Sequence, residues 1–183
     1  MNVVYSSDNN YARHVGISIT SLYEKNRNAK EIQVFLIDDG ISKENRKKLD
    51  NIAKKYNRTI NYVSFEAHKK HLLLNNKNEM PISAYARLFV AELLPVDVER
   101  VLYLDCDTVI CDNLESLWNT DLLGNTIGSV EDVMSCILQD EVGISETFPY
   151  FCSGVILIDL NKWRQTNAQQ RMLDYLKDRK IIA

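Results

Sequence analysis

Apolar and polar residues follow one another along this chain in segments of two kinds. Between strand-like runs, apolar residues recur at helical spacing, as in the series Tyr11, Val15, Ile19 and Leu22. The runs themselves are short and rich in β-branched and aromatic residues, and they cover residues 2–6, 31–37, 59–65, 100–104, 126–130 and 154–160. Strands that alternate with helices predict an α/β fold with a mostly parallel central sheet flanked by helices.

Three more helices follow from the same spacing. Ser42 is a predicted N-cap, and the helix after it has a buried face made of Leu49, Ile52, Ala53 and Tyr56. A further helix begins at Ser83, and the last one runs from Asn161 to about Lys180. Neither a linker nor an internal repeat interrupts these elements. We therefore expect residues 1–183 to form one domain.

Composition narrows the class of protein. The 183 residues carry a net charge of −3, whereas nucleic-acid binding calls for a basic face, so we expect no nucleic-acid partner. No apolar run approaches the roughly 20 residues of a membrane span, and the first residues do not form a signal peptide. The chain contains no CxxC pair, so we expect reduced thiols and a cytoplasmic protein. Its four cysteines are Cys106, Cys111, Cys136 and Cys152.

Two carboxylates follow the fourth strand directly. In an extended chain Asp105 and Asp107 point to one face of the sheet, and Cys106 points to the other. Carboxylates held this close together repel each other unless a cation lies between them, and oxygen ligands suit Mg²⁺ or Mn²⁺. The alternative is a strand that ends in two solvated aspartates. The buried strand before them favours the metal site.

Polar residues also end the first strand. The carboxylate of Asp8 is an acceptor for the N3–H group of uracil, and Tyr11 offers a ring for stacking. The alternative is a turn with a helix cap, which is favoured when these residues are considered alone. Arg87, on the helix that begins at Ser83, suits charge-assisted bonds to a diphosphate. Considered alone, it is better explained by a surface salt bridge.

Taken together, several segments resemble the family 8 glycosyltransferases, the group that contains glycogenin and bacterial lipopolysaccharide galactosyl- and glucosyltransferases. They occur in family order between residues 2 and 164. The segments are NVVYSSDNNYARHVGISITSL, FLIDDGISKENRKKL, ISAYARL, RVLYLDCDTVICDNLESLW and YFCSGVILIDLNKWR. The resemblance implies a GT-A fold and a metal-dependent, retaining transfer of glucose or galactose. The donor would be a UDP-sugar, the acceptor a glycan or lipopolysaccharide-type molecule, and the metal Mn²⁺ or Mg²⁺.

The same resemblance implies roles for individual residues. Asp105 and Asp107 would hold the metal and the diphosphate. The nucleotide would also contact Ser6, Ser7, Asp8, Asn10, Tyr11 and Cys106. The donor sugar and its phosphates would lie near Arg87, Asp132, Cys152, Ser153 and Gly154.

Two departures from the family pattern bear on activity. Cys152 stands where the family usually has an asparagine that hydrogen-bonds the donor sugar, and a thiol is a weaker partner. The family also continues with an Asp-Gln-Asp segment and a His-x-x-Gly-x-x-Lys-Pro-Trp segment, which contribute a third metal ligand and a phosphate-binding lysine. Neither segment occurs in these 183 residues. We therefore expect a C-terminally truncated chain with reduced activity, whose missing tail is a candidate for peripheral membrane contact.

Two other functions remain open from the sequence. The chain could be a nucleotide-sugar-binding module that transfers nothing. It could also be a nucleotidyltransferase, a class that uses paired aspartates and Mg²⁺ on an α/β sheet. Such an enzyme normally has a glycine-rich N-terminal loop, and residues 6–10 contain no glycine.

Overall fold

The computed structural model describes residues 1–70, 72, 81–135, 137, 139, 143, 145 and 147–178. Within them, six strands form one sheet. The strands are β1 (Asn2–Asp8), β2 (Gln33–Asp39), β3 (Ile60–Ser64), β4 (Arg100–Leu104), β5 (Ile127–Gly128) and β6 (Val155–Asp159). Each of their ends lies within two residues of the corresponding end of a predicted strand segment. The α/β fold is confirmed.

Helices connect the strands on both sides of the sheet. They are α1 (Ala12–Lys25), α2 (Lys43–Lys55), α3 (Glu66–Lys69), a 3₁₀ helix (Ile82–Phe89), α4 (Val90–Leu93), α5 (Glu115–Trp118), α6 (Leu160–Gln165) and α7 (Ala168–Asp178). In the part of the chain that the structure describes, none of the helices is long and apolar enough to cross a membrane.

The strand order is β3-β2-β1-β4-β6-β5. Strands β1 to β4 are parallel, whereas β6 runs antiparallel to both β4 and β5, so the prediction of a mostly parallel sheet is confirmed. The order reverses beside β1, because β2 and β3 lie on one side of it and β4 on the other. Ligands of open α/β sheets bind at such a reversal, outside the carboxyl ends of the strands.

Helices cover both faces of the sheet, which explains why its strands are continuous apolar runs. Val3 and Tyr5 belong to the core cluster on the side of α1 and α2, and Val4 belongs to the cluster on the side of the 3₁₀ helix. The same alternation along β4 assigns Leu104 to the first cluster and Tyr103 to the second. The chain therefore leaves β4 with odd-numbered side chains facing the 3₁₀ helix.

Helix boundaries agree in part with the sequence. Ser42 is the N-cap of α2, since its Oγ accepts a hydrogen bond from Asn45 N at 3.2 Å. The segment predicted as a helix from Ser83 is mainly a tighter 3₁₀ helix. The single C-terminal helix is wrong: α6 and α7 are separated at Asn167, whose φ of 49° cannot continue an α-helix. Its predicted end at Lys180 lies outside the described residues, as does Cys136.

Candidate functional site

A cleft of about 140 Å³ opens at the carboxyl ends of β1 and β4, at the reversal of strand order. Most of the residues around it are ones that the sequence singled out. It is lined by Ser6, Ser7, Asp8, Tyr11, Pro81, Ser83, Ala84, Arg87, Tyr103, Asp105, Cys106 and Asp107. The first strand, the 3₁₀ helix and the end of β4 thus bring the two predicted polar clusters and Arg87 together.

Asp105 and Asp107 lie in a turn and not in an extended strand. Strand β4 ends at Leu104, and Thr108 N donates to Asp105 O at 3.1 Å, which closes the turn. The premise of an extended strand is therefore wrong from Asp105 onwards, although the exposed Asp107 still lines the cleft with Asp105. The predicted direction of Cys106 is correct, because that side chain packs against the cluster on the α1 side. The turn nevertheless leaves both carboxylates on the cleft.

One oxygen of Asp105 is held by two donors. Its Oδ1 accepts hydrogen bonds from Arg87 Nη2 at 2.8 Å and from the hydroxyl of Tyr103 at 3.0 Å. The guanidinium carbon of Arg87 also lies 4.8 Å from the centre of the Tyr103 ring, in cation–π contact. The other oxygen, Oδ2, accepts no hydrogen bond from any residue that the structure describes. The side chain is 31% exposed, so Oδ2 is available to a ligand.

The start of β6 completes this side of the cleft. Because β6 is antiparallel to β4, its first residues arrive beside Asp105, whose N–H group donates to Gly154 O at 2.8 Å. A Cβ atom on Gly154 would lie 3.2 Å from Asp105 Oδ2 and 3.8 Å from Cys152 Sγ. Arg87 Nη1 donates to the carbonyl oxygen of Ser153 at 2.6 Å and to its Oγ at 2.9 Å. The missing side chain of Gly154 thus keeps the space beside Oδ2 open.

The chemistry of these groups fits a divalent cation. Asp105 Oδ2 and the exposed carboxylate of Asp107 are hard oxygen donors of the kind that Mg²⁺ and Mn²⁺ prefer. Within the described ranges, no three His, Cys, Asp or Glu side chains converge in a way that could hold a metal ion. The two aspartates would therefore supply part of the coordination shell, and ligand or water oxygens the rest.

The thiol between the two aspartates does not contribute a thiolate. Burial raises the pKa of Cys106 to about 11, and the nearby charges of Asp107 and Asp105 act in the same direction. Burial likewise raises the pKa of Tyr103 above its ordinary value. At neutral pH the cleft therefore holds a protonated thiol and a tyrosine hydroxyl that is able to donate.

One oxygen of Asp8 belongs to the local turn that the alternative interpretation predicted. Its Oδ1 accepts a hydrogen bond from Tyr11 N at 2.9 Å, which is the local turn before α1. Its Oδ2 has no hydrogen-bond donor among the described residues, so one carboxylate oxygen is left for a ligand. The ring of Tyr11 is 42% exposed beside it and has its centre 5.0 Å from that of His14.

The model of the family described as "Glycosyl transferase family 8" matches residues 2–182. The chain belongs to glycosyltransferase family 8. It is 27% identical over 179 residues to general stress protein A of Bacillus subtilis (strain 168), covering 97% of this chain and 62% of that protein. It is 29% identical over 181 residues to lipopolysaccharide 1,2-glucosyltransferase of Escherichia coli (strain K12), covering 96% and 52%. Membership of this family gives no support to the nucleotidyltransferase alternative.

Solved structures agree with the family and the GT-A fold. The galactosyltransferase LgtC, crystallised with donor and acceptor sugar analogues, is 28% identical and matches with a TM-score of 0.82. That match covers 100% of this chain and 67% of LgtC. The bifunctional glycosyltransferase WbbM shares the fold at 21% identity and a TM-score of 0.80. The chain thus spans about half to two-thirds of the length of the relatives it matches.

Five predicted site residues of this family 8 chain are not among the residues that line the cleft. Ser153 and Gly154 contact Arg87 and Asp105, and Cys152 lies beside Gly154. Asn10 and Asp132 have other surroundings. Asn10 faces a separate groove of about 780 Å³ between α1 and α2. Asp132 does not line the cleft; its N–H group donates to Tyr150 O at 2.8 Å, and its Oδ1 accepts from Met134 N at 2.8 Å. Their contacts with nucleotide and sugar, and those of the other site residues, stay predictions.

Tyr103 is the residue of this site that the sequence analysis missed. It was assigned only to the buried strand before the two aspartates. Two signals could have identified it. A tyrosine at position i−2 from Asp105 faces the same side of a strand. A buried tyrosine also needs a hydrogen-bond partner for its hydroxyl, and the carboxylate is the nearest polar group in the chain.

Proposed function

We propose that this family 8 glycosyltransferase binds a UDP-hexose in the cleft, together with Mn²⁺ or Mg²⁺, and transfers glucose or galactose with retention of configuration. The acceptor would be a glycan or a lipopolysaccharide-type molecule. One observation carries the proposal: Asp105 has one oxygen fixed by Arg87 and Tyr103 and the other free, at the carboxyl end of a strand and beside Asp107. The activities of the glucosyltransferase relative and of the galactosyltransferase LgtC support a hexose donor.

Each group in the cleft has a role in this proposal. Asp8 and Tyr11 receive the uracil ring, and Asp105 and Asp107 hold the cation. When bound, the cation would stabilise the negative charge that develops on the leaving diphosphate. Arg87 carries its positive charge at the same edge, where it would add charge-assisted bonds to phosphate or sugar oxygens. We assign no nucleophile, because no described side chain is identified by its contacts as one.

The size of the cleft limits what this chain does alone. Pockets for small molecules usually measure about 300–1,000 Å³, so a cleft of about 140 Å³ encloses only part of a nucleotide sugar. The small volume, with two carboxylates for a six-coordinate cation, favours a second candidate function, a nucleotide-sugar-binding module that does not transfer. The two candidates share the binding step and differ in whether sugar is released.

The metal role is tested by isothermal titration calorimetry of UDP with and without Mn²⁺. We expect tighter binding with Mn²⁺, and we expect Asp107→Asn to remove most of that gain because it replaces a charged ligand. Asp97→Asn is the matched control, since Asp97 is exposed and no described residue pairs with it. Equal affinity of the unmodified protein for UDP in both conditions would contradict the metal role.

The choice between transfer and binding alone needs an assay of turnover. UDP release is measured from UDP-glucose and UDP-galactose in the presence of Mn²⁺. Release that Asp107→Asn abolishes supports the transferase. The assay is run with water as the acceptor and with glycans or lipopolysaccharide fragments added, so that the hexosyl group has an acceptor. Mn²⁺-dependent binding without release in all of these conditions supports the binding module.

The base assignment makes a second prediction. If Asp8 accepts the uracil N3–H, CDP binds more weakly than UDP, because the N3 atom of cytosine is itself an acceptor. Asp8→Asn keeps an oxygen for the N–H group of Tyr11 and places an amide donor at the other position. We expect this variant to reduce the preference for UDP by tenfold or more, at about 1–3 kcal/mol for an unpaired buried group. Equal binding of UDP and CDP by the unmodified protein would rule out this assignment.

A further inference from the structure

We infer that Tyr103 is a positioning residue for the metal-binding carboxylate: its hydroxyl fixes Asp105 Oδ1, so that Oδ2 is presented to the cation. The inference rests on the proposed metal role of Asp105. Nothing in the family comparison or in the sequence assigns a function to this tyrosine.

The ring of Tyr103 is held in place by core packing. It is 1% exposed and belongs to the buried apolar cluster that includes Val4, Phe89 and Ile156. Its hydroxyl lies 3.0 Å from Asp105 Oδ1, so the donor is held by the packed core and not by solvent. A carboxylate otherwise rotates easily, because terminal torsions of this kind have broad minima. The bond from Tyr103 removes that freedom.

Arg87 alone would not do the same. It donates to the same oxygen at 2.8 Å, but it also donates to Ser153, and its positive charge is attracted to any phosphate that enters the cleft. A guanidinium beside a carboxylate also weakens the attraction between that carboxylate and a cation. The tyrosine hydroxyl is neutral, so it orients the carboxylate without this competition. It keeps doing so if Arg87 turns towards a ligand.

The protein contains a matched control elsewhere. The hydroxyl of Tyr62, in β3, lies 3.0 Å from Asp50 Oδ1 and 3.2 Å from the carbonyl oxygen of Arg46, and the guanidinium carbon of Arg46 lies 5.3 Å from the ring centre. None of these three residues lines the cleft. Tyr62→Phe therefore removes the same kind of hydrogen bond as Tyr103→Phe without affecting the proposed metal site.

The test measures Mn²⁺ affinity directly, by calorimetry and by the electron paramagnetic resonance signal of free Mn²⁺, with UDP present. We expect Tyr103→Phe to weaken Mn²⁺ binding about tenfold, as for the loss of one hydrogen bond to a charged group. UDP affinity without metal should change by less than about twofold. Tyr62→Phe should leave both affinities as they are, although both variants lower the unfolding temperature. In an Asp105→Asn background, adding Tyr103→Phe should cause no further loss of Mn²⁺ affinity.

The outcomes separate this inference from the proposed function. If the unmodified protein binds Mn²⁺ with UDP and Tyr103→Phe binds it equally well, the positioning role is wrong and the metal site stands. If Tyr62→Phe loses as much Mn²⁺ affinity as Tyr103→Phe, a general effect on folding explains both, and the positioning role is again wrong. If the unmodified protein shows no Mn²⁺ dependence, the proposed metal role falls and the inference falls with it.

Discussion

The same three residue types form two clusters in this protein, and they are arranged differently. The cleft cluster consists of Tyr103, Asp105 and Arg87, and the β3 cluster consists of Tyr62, Asp50 and Arg46. In each, a tyrosine hydroxyl lies 3.0 Å from an aspartate oxygen, and an arginine lies over the tyrosine ring. In the cleft cluster the arginine pairs with the aspartate that the tyrosine holds. In the β3 cluster Arg46 pairs instead with Asp38, at 2.6 Å.

This difference decides which charges remain available. Asp38 is 1% exposed, its Oδ1 accepts from the N–H groups of Gly40 and Ile41, and among the described residues its buried Oδ2 has only the ion pair with Arg46. The β3 cluster thus braces β2 and β3 against α2. In the cleft cluster two donors converge on one oxygen of a single carboxylate and leave the other free. Similar contacts therefore stabilise the fold in the β3 cluster, whereas in the cleft cluster they orient a carboxylate oxygen for the proposed cation.

The largest expected effects come from removing each arginine. Arg46→Ala leaves the buried carboxylate of Asp38 without its partner, and we expect it to lower the free energy of unfolding by about 2 kcal/mol. Arg87→Ala should cost less stability, because Asp105 keeps Tyr103 and is partly exposed to water. It should, however, weaken Mn²⁺-dependent UDP binding about tenfold by removing a charge-assisted bond.

Urea denaturation measures the stability of the two variants, and calorimetry measures their Mn²⁺-dependent affinity for UDP. Arg46→Ala should keep the UDP affinity of the unmodified protein. The comparison breaks down if Arg87→Ala is as destabilising as Arg46→Ala, because the cleft cluster would then also be a structural brace.

A smaller effect is expected from filling the space beside the free oxygen. In Gly154→Ala the new Cβ would lie 3.2 Å from Asp105 Oδ2, closer than usual, so the carboxylate must shift by a few tenths of an ångström. We expect Mn²⁺-dependent UDP affinity to fall several-fold. Gly16→Ala is the control, since its Cβ would meet Leu49 and Ile52 at 3.3 Å and disturb packing between helices. If Gly154→Ala binds Mn²⁺ as well as the control does, Oδ2 is not a ligand.

The smallest effect concerns the thiol in the cleft turn. The pKa of Cys106 is raised to about 11 in the folded protein, above the ordinary value of 9.0. Below pH 9 the thiol is protonated in both states and has no effect. As the pH rises from 9 towards 11, the unfolded chain loses the proton first, so the folded state loses stability. Cys106→Ser should therefore lose less stability than the unmodified protein between pH 8 and pH 10, as measured by urea midpoints. Equal losses would show that Cys106 does not titrate this way.

Much of the fold could be predicted because its signals are local. Apolar runs of strand length, with helical spacing between them, identify the six strands and the α/β class. The N-cap at Ser42 is also a local signal, because it depends only on a serine placed just before a helical pattern. The break at Asn167 was not predictable, because a left-handed residue in an otherwise helical pattern has no strong signal when it is not glycine. The direction of β6 depends on its pairing with β4, which no local pattern reveals.

The cleft could be predicted in outline for a related reason. Polar residues that follow two strands come together whenever those strands are neighbours, as β1 and β4 are. The pairing of Arg87 with Asp105 depends on how the 3₁₀ helix packs on the sheet, so it lay beyond sequence reasoning, whereas Tyr103 could have been identified from its position two residues before Asp105. Asn10 shows the limit of this argument, since it follows Asp8 by two residues but lines the groove between α1 and α2.

The reversed direction of β6 has a consequence for exchanging parts between relatives. The chain leaves the sheet at Ser129 and returns at Cys152, and these points are held together: Ser129 Oγ lies 2.5 Å from the carbonyl oxygen of Cys152 and 2.9 Å from that of Val155, and Cys152 N donates to Val130 O at 2.9 Å. The two ends of the segment between them therefore meet at a joint next to Asp105. A chimera that replaces residues 131–151 with the matching segment of a relative would keep the joint and the nucleotide side of the cleft. Such exchanges offer a way to vary the sugar side alone.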